Sequence, residues 1–472
     1  MTGQIKFGTD GWRGVIADDF TFENVRLCSQ GLANYLYNNG TAERGVVVGY
    51  DTRFLSKEFA EATASVLAGS RIKVYLCDHA SPTPVVSLNV LYYKAAGAVI
   101  ITASHNPGIW NGFKFKPEYA GSATQDITDM LEREIDKVDQ VKHVSLNDAR
   151  AMGFVRDIDP DPPYRSSIES IVDLQSIKNA GLHIAVDSMH GSGSGYIHSL
   201  ISGGSTIVEE LRNDVNPTFP GMEQPEPIAH NLLELMDLVI STKLSAGIAL
   251  DGDADRVGIV SNEGKFVSTL ETFALLAFYL LEHKGQRGDL VKGLTSSRML
   301  TSLGAKYGIA VHETKVGFKF IGPMMSETDA LMGGEESGGY AFRGHIPERD
   351  GILSGLLFLE YMTKTGKTPS NLIRDLFDLV GTHSYSRRDI QFEQSERHTL
   401  TNKILNAAGL SQIGGKNIIS YDEIDGMRLN FSDAWLAVRF SGTEPLLRIY
   451  CEASDDKLVE HILDAMQEYL EV

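Results

Sequence analysis

"VVVGYDTRFLSKEFAEA", residues 46–62, decides the fold class. A β-branched run, Val46-Val47-Val48, ends in the loop Gly49-Tyr50-Asp51, and an amphipathic helical stretch follows from Ser56 to Ala62. The order returns further along, where Ile184-Ala185-Val186-Asp187-Ser188 leads into a Gly/Ser loop. Strands that alternate with helical stretches in this way predict α/β architecture, with parallel or mixed sheets covered by helices. Loops at the carboxyl ends of such strands are where ligands sit.

At 472 residues the chain is too long for one compact core and divides into roughly three or four units. Hydrophobic residues make up 42% and charged residues 22%, the balance of an ordinary soluble globular protein. The longest apolar helical stretch, Phe273 to Leu281, is too short to cross a bilayer, and Met1 to Lys6 lack the features of a signal peptide. A cytoplasmic location and no membrane partner are therefore expected. Cys28, Cys77 and Cys451 are odd in number and far apart, which reads as three small core residues. A formal charge of −19 disfavours nucleic acid and anionic lipid, so a phosphorylated ligand needs local basic pockets.

The Pro/Asp-rich stretch Asp157 to Pro163 reads as a linker. Beyond Gly381, Arg387–Phe392, Ala434–Phe440 and Leu447–Tyr450 read as strands of a smaller α+β unit. The expected division is 1–156, 157–256, 257–382 and 383–472. No short repeat is evident; any repetition is of whole α/β units.

Four loops carry chemistry. In "ITASHNPGIWNGFKF", residues 101–115, an apolar strand delivers Ser104 and His105 to an Asn-Pro-Gly breaker. That breaker is expected to hold Ser104 exposed at the ligand-binding edge of the sheet, with Lys114 returning to the same cleft. Asp251, Asp253 and Asp255 alternate, so an extended loop turns all three carboxylates one way, which favours a hard divalent cation. An EF-hand is excluded by Arg256 and Asn262 at its glycine and glutamate positions. Mg²⁺ keeps part of its shell for water or a phosphate oxygen, so three aspartates leave room for another ligand. Arg439-Phe440-Ser441-Gly442-Thr443, followed by Arg448, has the parts of a phosphate cradle. Gly333 to Gly339, with Glu335, Glu336 and Ser337, suits sugar hydroxyls. The Gly-rich loop Phe7 to Gly14 adds the fixed cation Arg13. Each loop, taken singly, also reads as an ordinary turn. Dinucleotide, Walker A and lipase-type signatures are absent.

Together these loops resemble, in order and from Phe7 to Arg448, those of the α-D-phosphohexomutases, the family of phosphoglucomutases, phosphomannomutases and phosphoglucosamine mutases. Thr102–Pro107 is similar to the phosphoserine loop, Asp251–Arg256 to the metal loop, Gly334–Gly338 to the sugar loop and Arg439–Arg448 to the phosphate loop. Gly49–Arg53, Asn216–Gly221 and Val316–Lys319 also look like family segments. The resemblance implies three related α/β/α domains with mixed sheets and a C-terminal α+β domain like the TATA-box-binding protein, around a central cleft. It implies a phosphoserine at Ser104, and one Mg²⁺ on Asp251, Asp253, Asp255 and a phosphoserine oxygen. Arg13, Arg256 and His105 would lie by the transferring group. Lys114 would be the general acid/base, provided that neighbouring cations or desolvation lower its pKa. Gly317, Lys319, Glu335 and Ser337 would bind sugar, and Arg439, Ser441, Gly442, Thr443 and Arg448 the idle phosphate.

The activity implied is exchange between hexose 1- and 6-phosphates through a bisphosphate, with glucose 1,6-bisphosphate as activator, in a monomer or homodimer. One departure stands out: Gly339 occupies a position where many relatives carry His. His345, Arg349 or Lys319 could replace it. Glu336 is more like the glucose-type enzymes. Phosphomannomutase or broad specificity, bisphosphate formation, a Mg²⁺-dependent phosphatase and a non-catalytic sensor are the rival readings.

Overall fold

The computed structural model describes residues 5–441 and 446–472. The first sheet contains β1 (Trp12–Val15), β2 (Val46–Tyr50), β3 (Val74–Cys77), β4 (Gly97–Ile101), β5 (Trp110–Pro117) and β6 (Val155–Ile158), in the order β1-β5-β4-β2-β3-β6. The central strands are parallel, while β5 runs antiparallel to both β4 and β1. The valines that announced the sheet explain why it is covered on both faces. Val46 and Val48 enter one apolar core with Leu32 and Phe59, and Val47 enters another with Val85 and Val86. A parallel strand flanked by helices on both sides needs such a continuous apolar run.

The second sheet contains β7 (His183–Asp187), β8 (Ile207–Leu211), β9 (Ala246–Leu250), β10 (Val257–Val260) and β11 (Phe266–Val267), ordered β11-β10-β9-β7-β8. The third contains β12 (Leu290–Gly293), β13 (Val311–Thr314), β14 (Met332–Gly334) and β15 (Tyr340–Phe342), ordered β13-β12-β14-β15. One arrangement recurs in all three sheets: a parallel strand reaches its carboxyl end, a loop turns, and an antiparallel strand returns beside it. The pairs are β4 with β5, β9 with β10, and β14 with β15. Their loops hold Ser104, the alternating aspartates, and Glu335 with Ser337.

The C-terminal unit differs. Its strands β16 (Ser384–Gln391), β19 (Ser420–Asp422), β20 (Met427–Asn430), β21 (Trp435–Phe440) and β22 (Leu446–Ala453) pair antiparallel throughout, ordered β16-β22-β21-β20-β19. A two-stranded ribbon, β17 (Gln412–Ile413) with β18 (Lys416–Asn417), stands apart. This unit has its own core, which includes Leu436, Ile449 and Ile462. In contrast, one continuous core joins Val86 of the first unit, Ile248 of the second and Leu356 of the third. The apolar helix Thr269–Phe278 is buried in that core, and no helix among the described residues is long and apolar enough to cross a membrane. The three cysteines are free and buried.

Two expected boundaries fall inside sheets. Residue 156 lies within β6, and 256/257 separates the aspartate loop from β10, the partner of β9. The Asp157–Pro163 stretch is ordered: it ends β6 and opens the helix Asp161–Ile171, where Pro162 and Pro163 occupy first-turn positions that need no N–H. Local contacts pin this junction. The Asn89 amide donates to the Pro160 carbonyl, the Tyr196 hydroxyl donates to Asp161, and His79 Nε2 lies 3.4 Å from Asp161 Oδ1.

The hydrogen bond to Asp161, against the cost of partial burial and with help from Asp78, raises the His79 pKa to about 9. Stability from a raised pKa is complete below the unfolded value of about 6.5 and fades as pH climbs through the folded one. His79→Gln should therefore lower the melting temperature at pH 6 and leave it unchanged at pH 10. Because the ring is 42% exposed, the effect should not exceed about 1 kcal/mol. Thermal unfolding across that range checks it.

Candidate active site

The Ser104 loop is shaped by a residue from a neighbouring strand end. Arg53, fully buried after β2, donates to the backbone carbonyls of Ser104 (2.6 Å), Asn106 (2.6 Å), Pro107 (2.9 Å) and Trp110 (3.1 Å). Its charge is balanced by Asp51 at 3.2 Å, and its guanidinium stacks over Phe219. Under this clamp Ser104 adopts a left-handed φ of 52°, which costs a non-glycine residue about 1 kcal/mol. The strained backbone aims the hydroxyl inward. Ser104 Oγ donates to Asp251 Oδ2 at 2.9 Å, and the residue is 1% exposed. The expected exposed serine is therefore a buried one, because the left-handed turn faces it toward the aspartate loop beside His105.

Asp251, Asp253 and Asp255 are fully buried and each offers an oxygen within 4.8 Å of the others. Asp253 Oδ1 and Asp255 Oδ1 are buried without a hydrogen-bond partner. Buried carboxylate oxygens left in that state fit a divalent cation. Burial, then the charges of Asp255 and Asp253, hold the Asp251 pKa well above the usual carboxylate range. Glycine at 252 is required by close approach: a Cβ there would lie 2.5 Å from the Ser104 carbonyl oxygen.

Lys114 departs from expectation. It is fully buried on β5, with Nζ 2.9 Å from Asp10, 2.8 Å from Asp253 and 3.5 Å from Asp255. Burial opposes its charge, but Asp10, Asp253 and Asp255 outweigh burial and raise its pKa. The resting group is thus an ammonium, a proton donor rather than a free amine. His105 is the reverse case: burial and then the cations Arg256 and Arg13 push its pKa well below the usual value, so the ring is neutral. Its Nδ1 lies 3.4 Å from Ser104 Oγ.

A cavity of about 550 Å³ gathers Arg13, His105, Arg256, Gly317, Glu335, Ser337 and Arg448 from all four units. Arg13 reaches the Asn106 side chain, and Arg256 pairs with Glu226 at 2.7 Å. Ser104, Lys114 and the three aspartates do not line it; Ser104 touches the lining through His105, Lys114 through Asp10 and Asp255 through Arg349. Two expected ligands point elsewhere: Lys319 donates to Gln125 at 2.8 Å, and Arg439 pairs with Asp425 at 3.1 Å. Neither lines the cavity. Ser441 is buried, its N–H donating to the Leu446 carbonyl at 2.8 Å; Gly442 and Thr443 lie outside the described residues.

Of the three residues considered as replacements at position 339, only Arg349 reaches the cavity. His345 is held away by Asp350 (2.9 Å) and Ser167 (2.9 Å). Arg349 pairs with Asp10 and Asp255, both at 2.8 Å, and approaches Glu335 at 3.5 Å. Any side chain at 339 would overlap the Arg349 stem, so the arginine fills the space that a histidine there would need. Asp10, Arg53, Lys116, Glu226 and Glu348 escape sequence reading as site residues. Arg53 and Asp10 left a local trace, in the Gly49–Arg53 segment and the Gly-rich loop Phe7 to Gly14.

Family models match each unit in turn: phosphoglucomutase/phosphomannomutase alpha/beta/alpha domain I over residues 4–142, domain II over 162–264, domain III over 270–380, and the C-terminal domain over 393–468. The chain belongs to the phosphoglucomutase/phosphomannomutase family, whose members are isomerases that interconvert sugar phosphates. It is 31% identical over 457 residues to a phosphoglucomutase/phosphomannomutase of Thermococcus kodakarensis, covering 97% of this chain and 96% of that one. A Pyrococcus furiosus protein provisionally called a phosphoglucosamine mutase is 31% identical over 462 residues, covering 97% and 95%. A crystal structure from Thermus thermophilus, provisionally called a phosphomannomutase, superposes with a TM-score of 0.87 at 33% identity over the whole of both chains.

Gly252→Ala should part the serine and aspartate loops and lower the exchange rate about tenfold or more, since small misplacements of reacting groups are costly. Steady-state assays, with a melting curve to confirm the folded state, check this.

Proposed function

We propose that this phosphohexomutase exchanges glucose 1-phosphate and glucose 6-phosphate through a phosphoserine at Ser104 and glucose 1,6-bisphosphate. The observation that carries the reading is the 2.9 Å contact between Ser104 Oγ and Asp251, against a buried triad whose partnerless oxygens fit a cation. Asp251, Asp253 and Asp255 would hold Mg²⁺, which supplies charge neutralisation to the phosphoryl group when bound.

Two transfers make the cycle. Phosphoserine gives its phosphoryl group to the free hydroxyl of the hexose monophosphate; the bisphosphate turns end for end, and its other phosphate returns to Ser104. In the first transfer the serine O–P bond breaks as the sugar O–P bond forms; the Lys114 ammonium would give its proton to the departing Ser104 oxygen, and the resulting amine would take the proton that the sugar hydroxyl loses. The reverse proton movement accompanies rephosphorylation. Arg13 and Arg256 would neutralise the transferring group. Neutral His105 would add a hydrogen bond near Ser104 without adding charge. Arg448 would hold the phosphate that is not reacting, with Ser441 and Thr443, while Glu335 and Ser337 would bind sugar hydroxyls. Arg349 stays a guanidinium, because Asp255, Glu348 and Asp10 outweigh burial and keep its pKa raised. Its part is electrostatic.

Glucose is favoured by Glu336, which lines the cavity beside Ser337. A panel of glucose, mannose and glucosamine 1-phosphates, with and without glucose 1,6-bisphosphate, tests the assignment. Glucose should give the highest kcat/KM, chelation should abolish exchange and Mg²⁺ restore it; a higher value for mannose or glucosamine overturns the sugar. Ser104→Ala should lose exchange by at least about three orders of magnitude, given what removal of a nucleophile costs. Intact mass should show a species one phosphate heavier in wild type only. Release of inorganic phosphate without isomer exchange points to a phosphatase instead.

A further inference from the structure

Asp10 stands between two lysines. Lys114 and Lys116 are two apart on β5 and so project from the same face of the strand. Lys114 Nζ lies 2.9 Å from Asp10 Oδ2, and Lys116 Nζ lies 2.8 Å from Asp10 Oδ1. The Oδ2 oxygen also takes Arg349 at 2.8 Å, and Arg349 reaches Asp255 at 2.8 Å. Asp10 is thus the hinge of a ladder, with Lys116 on one side and the groups facing the aspartate loop on the other.

Lys116 itself touches neither the cavity nor the aspartate triad. It is fully buried, 2.5 Å from Glu348 Oε2, and Ser122 Oγ donates to the same oxygen at 2.8 Å. A buried ammonium is costly unless fully paired, and an apolar residue of similar size would fill the space more cheaply. Glu348 comes from the third unit and precedes Arg349, so the Lys116 pair joins the first unit to the third beside the residue that meets Asp255.

We propose that Lys116 is a positioning residue for phosphoryl transfer: paired with Glu348, it fixes the Asp10 carboxylate so that the other Asp10 oxygen holds Lys114 and Arg349 against the aspartate loop. This rests on the phosphohexomutase reading above. A lysine that only stabilised the fold would change the amount of active enzyme. A lysine acting through Asp10 changes turnover in enzyme that is folded.

The test is a double-mutant cycle of Lys116→Met and Asp10→Asn in the full chain, with kcat normalised to folded protein and melting temperatures recorded alongside. Lys116→Met should lower kcat by about tenfold or more while KM for the hexose phosphate stays within about threefold. The double variant should be no slower than Asp10→Asn alone, because both act on one contact. Lys116→Arg should recover part of the loss. A kcat within about twofold of wild type for folded Lys116→Met, or single losses that multiply in the double variant, overturns the proposal. Should Lys116→Met fail to fold, Ser122→Ala keeps every charge but removes a hydroxyl that lies 2.8 Å from Glu348, 3.4 Å from Lys116 and 3.5 Å from Asp10; a few-fold fall in kcat at constant KM that Asp10→Asn masks in the double variant supports the proposal, and no fall, or a fall that multiplies with that of Asp10→Asn, overturns it. Wild type and Ser104→Ala run in parallel separate the two readings: exchange absent from wild type defeats the function, whereas exchange unchanged by Lys116→Met defeats only the positioning role.

Discussion

Carboxylates packed together out of water repel one another, and the centre of this molecule is built around that fact. Asp251, Asp253 and Asp255 are all buried within a few ångströms of one another, so cations must come to them or the loop cannot close. The chain supplies cations from three separate units: Lys114 from the first, Arg256 from the second and Arg349 from the third. None of these units balances the loop alone. The requirement for charge balance therefore acts as a force that assembles the cleft, and it explains why a chain with so many acidic residues places its buried basic groups where it does.

The way each unit delivers its loop is economical. A parallel strand ends at the edge of a sheet, and the next strand returns antiparallel, so the connecting loop is held at both ends by paired backbone. Rigid attachment of this kind suits groups whose alignment matters more than their reactivity. The three hairpins face one another because the units share a continuous apolar core. The C-terminal unit, with a core of its own, brings Arg448 to the same cavity and is tied to the third unit by polar contacts, among them Arg428 with Glu313 at 2.7 Å and Arg387 with Glu336 at 3.2 Å.

The α/β architecture was legible because Val46–Ala62 states it locally: apolar run, loop, amphipathic stretch. The aspartate loop was legible for the same reason, since alternation places three carboxylates on one side whatever surrounds them. What could not be read was anything that depends on distant partners. Lys114 reads as an amine awaiting activation until Asp10, more than a hundred residues away, is seen beside it. Ser104 reads as a residue reaching the surface until Arg53 is seen gripping the carbonyls around it. Lys319 and Arg439 carry the right charge in the right segments, but helix and strand geometry turn them to Gln125 and Asp425. The junction at 157–163 looked like a linker because prolines break helices in their interior; at the first turn they do not.

Gly339 and Arg349 are two halves of one feature. The positions are ten residues apart and meet in one volume: a Cβ at 339 would fall 2.3 Å from Arg349 Cδ. The bare backbone at 339 is therefore the channel along which the arginine stem runs, from the segment after β15 to Asp10 and Asp255. A side chain added at 339 would be felt at the aspartate loop, through a cation that it displaces rather than through any contact of its own.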